Sequence, residues 1–358
     1  MRNIFHPRKL LSLVLAIFIA GITFNSTATP DRVDPICVAS HLEHLSNADL
    51  IQQLSLMQQA GIIRTRFDFN MATIEPLQGK FVWGLYDNIV NTAASYGITV
   101  LADIEQYNTP DWANGNQGSM YAPNPSIYHD YAQAIASHYI GKISLFEMGN
   151  EPNSSIYWPP APDAASYAAL LQAGYNGVKA GNPHAKVISA GLSQANPPND
   201  PISFLTAMYA SGVKGHFDYL GIHPYSQPNG PDFISHVLSR ASFNTVPALK
   251  NLLKKEGDQN KQIIITEIGW PTTSDFSGGG VTQSFQAAYI SRVYTKIMYD
   301  YQYIPIACIY DFVNDGTTTA YGEDNFGILN ADYTQKPSYT SMKVAASDFS
   351  SNFTAISP

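Results

Sequence analysis

The sequence predicts an α/β fold, a single closed (β/α)8 or TIM barrel. Three observations lead there. Eight short apolar runs rich in β-branched residues recur along the chain, a longer helix-like stretch follows each, and no composition break or linker divides them. Strands apolar along their whole length imply a parallel sheet covered on both faces, and eight βα units close such a sheet economically. An open doubly wound sheet would show a G-x-G-x-x-G turn after an early strand, and none is present. "SGGGV", with Gly278 to Gly280, lacks the lysine of a phosphate loop and reads as a plain loop.

The expected strands are "ICVAS" from Ile36, "IIRTRFDF" from Ile62, "ITVLADI" from Ile98, "KISLFEMG" from Lys142, "KVISAGL" from Lys186, "FDYLGIHPY" from Phe217, "QIIITEIGW" from Gln262 and "IPIACIYDF" from Ile304. Between them, "NADLIQQLSLMQQAG" reads as a helix capped by Asn47 and stopped by Gly61. "TQSFQAAYISRVYTKIMYD" reads as another, opened by Thr282.

The first 28 residues stand apart. Arg2, Arg8 and Lys9 precede the apolar "LLSLVLAIFIAGI", and Ser26 and Ala28 place small residues at cleavage spacing, the pattern of a secretory signal peptide. The expected organisation is therefore a signal over 1–28 and one barrel domain over 29–358, with a secreted or periplasmic location. No later run is apolar enough to hold the exported chain in a membrane.

The formal net charge is −8, and without the three positive charges of the signal it becomes −11. That balance disfavours nucleic acid as a partner. Charged residues make up only 13% of the chain while Tyr numbers 22, so much of the polar surface is neutral and aromatic, which suits neutral polar ligands. The spacing leaves the oligomeric state open.

The two cysteines, Cys37 and Cys308, fall on strands one and eight, neighbours in a closed barrel. Proximity is expected, with free thiols favoured over a bridge because adjacent parallel strands often miss disulfide geometry. His41 and His44 in "HLEHL" stand three apart with no third ligand marked, so neither a metal nor an organic cofactor is expected.

In such a barrel, chemistry gathers at the carboxyl ends of the strands. "EMGNEPN" ends strand four: Glu147 lies inside the strand and reads as part of the barrel, whereas Glu151 lies just beyond it. Glu267 emerges from "IIIT", where a carboxylate is costly without a function or partner. Two glutamates on one mouth suit glycoside hydrolysis, one donating a proton and one attacking. A separation of about 5 to 5.5 Å would mean retention of configuration.

"GNEPN", "HPYS" and "TEIGWPT", in that order, resemble glycoside hydrolase clan A, the retaining barrel glycosidases, over nearly the whole chain past the signal. "TIEPLQGKFVW", "YNTPDWA" and "NFGILNADYTQKPSY" are most similar to family 39 and related bacterial members. The resemblance implies that Glu151 is the acid/base, that Asn150 binds the sugar 2-hydroxyl and that Glu267 is the nucleophile. It further implies that Arg66 bonds the nucleophile and that His223 and Tyr225 line the reacting subsite. Where many members place a tryptophan on strand eight, this chain has "IYDF", so Tyr310 or Phe312 takes that place.

Stacking platforms are expected among Tyr107, Trp112, Tyr121, Tyr157, Trp158, Trp270 and Tyr321, with Trp270 and Trp158 first because each lies within a few positions of a candidate glutamate. Arg66 could instead pair with Asp68 or Glu75, and His223 could be a core histidine. The expected activity is hydrolysis of a poly- or oligosaccharide by double displacement. The alternatives are a non-catalytic carbohydrate-binding barrel or a transglycosylase on the same scaffold.

Overall fold

The computed structural model describes residues 34–234, 242–273 and 279–354; the expected signal peptide and the first two residues of "SGGGV" lie outside them. Eight parallel strands close in sequence order into one barrel: β1 (Ile36–Ala39), β2 (Arg64–Phe69), β3 (Thr99–Ile104), β4 (Leu145–Asn150), β5 (Lys186–Gly191), β6 (Tyr219–Ile222), β7 (Gln262–Ile268) and β8 (Ala307–Ile309). All eight predicted runs are strands.

The described helices are α1 (Asn47–Gln59), α2 (Met71–Ile74), α3 (Gly84–Ser95), α4 (Asp111–Asn114), α5 (Pro125–His138), α6 (Ala164–Gly181), α7 (Pro201–Ala210), α8 (Thr245–Lys255), α9 (Gln283–Tyr299) and α10 (Pro337–Thr354). The cap of α1 is Ser46, whose hydroxyl accepts from the Asp49 amide, rather than Asn47. A serine there satisfies one of the four free amides of the first turn. Gly61 follows at φ +72, the left-handed backbone expected of a helix stop. Thr282 caps α9 as read, accepting from the Phe285 amide.

Strand periodicity sorts the side chains into two cores. On β2, Phe67 and Phe69 pack outward against the helices, while Arg66 is held inside at the mouth. The barrel interior holds a small apolar layer of Cys37, Leu101, Ile188, Ile264, Ile306 and Cys308. Above it, toward the carboxyl ends of the strands, come the buried Arg66, Asp103 and Glu147. The apolar layer seals the barrel from below, so these polar groups must find partners among themselves.

Cys37 and Cys308 are bridged, which corrects the expectation of free thiols. The two are direct partners in the β1–β8 register, and both belong to the interior layer. Their Cα atoms are 4.2 Å apart, closer than the ordinary spacing between strands, so no backbone movement is needed to join the sulfurs.

Thiol titration of the denatured, unreduced protein is expected to find no free thiol. Because the bridge closes a very long loop, Cys37→Ala/Cys308→Ala should lose about 2–5 kcal/mol in denaturant unfolding. An unchanged midpoint would remove the bridge from the stability of the barrel.

Candidate active site

Arg66 is the centre of the mouth. Its Nε donates to Glu147 Oε2 at 2.5 Å, Nη1 to Glu267 Oε1 at 2.9 Å, and Nη2 to Asp103 Oδ2 at 2.8 Å and Asn150 Oδ1 at 3.1 Å. The structural alternative of a main pairing with Asp68 does not hold, since that contact is 3.9 Å. Burial alone would pull the guanidinium down, but Glu147, Asp103 and Glu267 keep it well above its ordinary value. Burial pushes the Asp103 carboxyl well up, against the pull of Arg66, and its second oxygen is buried without a partner.

Glu147 sits wholly inside the barrel and bonds Arg66 and the Gly191 amide, the non-catalytic place expected for it. Four residues on, the chain turns sharply. Glu151 has φ +44, a left-handed conformation that costs a non-glycine residue about 1–3 kcal/mol. Its amide donates to the Gly191 carbonyl and its carbonyl accepts from Ser154. Gln106 holds the preceding residue on both sides: its Oε1 accepts from the Asn150 amide at 2.7 Å and its Nε2 donates to the Asn150 carbonyl at 2.6 Å.

Glu267 reaches the cleft through an irregularity. On β7 the register with β8 runs from Ile265↔Ala307 to Ile268↔Ile309, one residue longer on β7. A bulge of this kind re-aims a side chain. Thr266 and Glu267, the residues inside it, both serve the site: Glu267 Oε2 accepts from the Tyr225 hydroxyl at 2.8 Å, and Thr266 Oγ1 lies 3.0 Å from His223 Nε2. Burial, with Glu267 alongside, pushes the Tyr225 phenol well up, so it remains a donor.

The His223 imidazole joins the two glutamates. Nδ1 lies 2.9 Å from Glu151 Oε1 and 3.5 Å from Glu267 Oε2, and one oxygen of each glutamate lies within 4.8 Å of the other. The ring is 0% exposed. Burial pulls it down, yet Glu267 and Glu151 outweigh that and leave it raised. A Cβ on Gly191 would stand 2.1 Å from His223 Nε2, so a glycine is required beside the ring.

The cleft over these groups has a volume of about 760 Å³ and takes in Arg66, Asn150, Glu151, Tyr225, Glu267 and Tyr310. Its aromatic walls are Tyr107, Tyr157, Tyr310, Tyr321 and Phe326. Of the two strand-eight candidates it is Tyr310 that faces the cleft, while Phe312 is buried in the core.

Four expected platforms, Trp112, Tyr121, Trp158 and Trp270, do not line this cleft. Trp270 is 0% exposed, its indole donating to the Asn229 carbonyl and its ring packed on Tyr289, so it ties two loops together instead of meeting a ligand. Trp112 and Trp158 line a separate depression beside α4 and α6, with Trp158 set edge-on against Tyr167. A tryptophan close in sequence to a catalytic candidate is not thereby close in space. Asn153, which opens the N-x-S glycosylation pattern "NSS", is 1% exposed and donates to the Ser193 and Asn199 carbonyls, so it is closed to a glycan.

The mouth also carries an acidic corner. Burial, with Asp68 beside it, pushes Glu43 up to about 8. Burial, opposed by His41, pushes Asp311 to about 8. Burial would lower His41, but Asp311, Asp315, Asp68 and Glu43 lift it to about 9.

The sequence profile described as glycosyl hydrolase family 53 matches residues 89–319, more than half of the chain and inclusive of both glutamates. The chain belongs to glycosyl hydrolase family 53. It is a glycoside hydrolase on a clan A barrel, and its structural neighbours include family 39 enzymes of the same clan.

Among solved structures, this family 53 member is similar to a family 39 glycoside hydrolase from the gut symbiont Bacteroides cellulosilyticus WH2, with 28% identity and a TM-score of 0.72 over 87% of this chain. It spans 63% of that protein's length. The fold is shared with a monomeric β-xylosidase from Caulobacter crescentus CB15 (17% identity, TM-score 0.65, 88% of this chain and 68% of that one). It is shared too with a glucosidase from Croceicoccus marinus (14% identity, TM-score 0.65, 88% and 68%). No curated protein is matched by sequence.

Gln106 acts through Asn150 and Glu151, so it is a positioning residue. Gln106→Ala should unpair both buried Asn150 backbone groups, costing about 1–3 kcal/mol of stability, and lower kcat by roughly tenfold to a hundredfold at a similar KM. Steady-state kinetics with a denaturant melt test this, and a change in KM alone would refute the positioning role.

Proposed function

We propose that this family 53 member is an exported retaining β-glycosidase acting on a poly- or oligosaccharide, with Glu151 as acid/base and Glu267 as nucleophile. One observation carries the reading: the two carboxyls have oxygens within 4.8 Å of each other across a single imidazole nitrogen. Such closeness suits direct attack on the anomeric carbon and leaves no room for the water that inversion would place between sugar and base.

Ionised Glu267 attacks C1 while Glu151 passes its proton to the leaving oxygen, and a glycosyl-enzyme forms. Arg66 and Tyr225 each bond one oxygen of Glu267, which fixes the attack direction and favours the ionised form. Glu151 then takes a proton from an incoming water, which attacks C1 and releases Glu267. His223 Nδ1, 2.9 Å from Glu151, shares one proton with it across that contact, and Thr266 orients the ring. Asn150, joined to Arg66 at the cleft floor, is set to meet the sugar 2-hydroxyl. Tyr310 supplies the apolar face on which the reacting ring stacks. Export rests on the amino-terminal pattern, and a sugar acceptor in place of water would make the same site a transglycosylase.

The two glutamates should fail differently. Glu267→Ala should abolish glycosyl-enzyme formation on every substrate. Glu151→Ala should lose roughly 10²–10⁴ in rate on poor leaving groups yet still be glycosylated by an activated aryl glycoside. Added azide should then restore turnover with a β-glycosyl azide as product. An α-azide from Glu151→Ala, or near-native turnover by Glu267→Ala, would overturn the assignment.

A further inference from the structure

The barrel closes on two of its short strands. β1 and β8 are four and three residues long, and three register pairs join them. Just past these strands, at the mouth, the chain places His41 after β1 and Asp311 and Asp315 after β8. His41 Nε2 lies 3.7 Å from Asp311 Oδ2 and 3.6 Å from Asp315 Oδ2. These separations are too long for hydrogen bonds. They are close to the spacing of about 3.4 Å between two donor atoms that bind one tetrahedral ion at 2.0–2.2 Å.

The surroundings point the same way. Asp311 is 2% exposed, and the Phe312 amide occupies its Oδ1, which leaves Oδ2 toward the imidazole. The other ring nitrogen, Nδ1, faces Glu43 Oε1 at 4.0 Å. The Glu43 side chain is 7% exposed, and its Oε2 is buried with no hydrogen-bond partner. A carboxylate behind an imidazole whose far nitrogen faces two more carboxylates has the arrangement, without the hydrogen-bond distance, of the outer partner of a metal-bound histidine. Arg66, 3.9 Å from neighbouring Asp68, is already committed to Glu147, Asp103 and Glu267.

We propose that His41, Asp311 and Asp315 bind one divalent cation of the zinc class, with Glu43 orienting the imidazole, and that the ion fastens β1 to β8 at the mouth. One imidazole and two carboxylates make a donor set with two negative charges, which a divalent ion neutralises. The role is structural and distinct from the glutamate pair, so it can be tested without reference to turnover.

Chelator-stripped protein, dialysed against zinc with excess magnesium, should retain about one zinc per chain and melt at a higher temperature than the stripped form. His41→Ala and Asp315→Asn should each weaken zinc binding by tenfold or more, and Glu43→Gln by roughly tenfold. Cobalt in place of zinc should give a visible spectrum that Asp315→Asn abolishes. Asp315 is partly exposed, so its variant should fold even if His41→Ala does not. Substoichiometric zinc, unchanged binding in Asp315→Asn, or a variant that loses oligosaccharide binding with no change in zinc would overturn the proposal. The last result would make the corner a hydroxyl-binding wall.

Discussion

The buried charge on Arg66 is the constraint on which the rest of the mouth depends. A guanidinium held at 4% exposure is tolerable only if its donors are matched, and they are matched by groups from β3, β4 and β7. Each of those strands must therefore arrive at one depth and angle. The planar fork of arginine makes this possible, because three partners can be met in fixed directions; an ammonium would hold them as a point charge. The nucleophile candidate is one of the three. Its orientation is thus set by the barrel interior and not by a mobile loop.

Much of this could be read in the chain. Parallel strands covered on both faces are apolar along their length, so all eight announced themselves. Glu151, Glu267, Arg66, His223 and Tyr225 could be picked because strand ends are where a barrel exposes side chains, and the structure brings these five together. What could not be read depends on register and side-chain direction. The β7 bulge leaves no mark in "IIITEIG", since a single added residue looks like ordinary strand. Gln106 gave no signal either, because its role is to bond a backbone 44 residues away. Trp270 misled for the same reason: its position along the chain is right, and its indole points into the packing beneath the loop. The two carboxylates facing His41 Nε2, Asp311 and Asp315, come from the far end of the chain, where no spacing rule connects them to "HLEHL".

The cleft shows how a charge-poor, tyrosine-rich sequence builds a surface for sugars. Its walls are phenol rings, which offer an apolar face to C–H groups and a hydroxyl to neighbouring oxygens. Tyr310 is held edge-on by Tyr225 and Phe326, so the platform is braced by a ring that also bonds Glu267. In the proposed mechanism, stacking on Tyr310 and the orientation of Glu267 are therefore mechanically coupled through one tyrosine. Trp270 contributes at a distance by fixing the loop after β6 to the end of β7.

The bridge between Cys37 and Cys308 spans 271 positions and encloses the strands in between. In covalent terms the chain from Cys37 to Cys308 is a closed ring. A protease that cuts one loop anywhere inside that span opens the ring without releasing a fragment. The two new ends stay tethered at high effective concentration, and the pieces can dock again as an intramolecular event. An enzyme exposed to proteases would gain from this: a single nick becomes a change of connectivity, and only a second cut can set a piece of the barrel free.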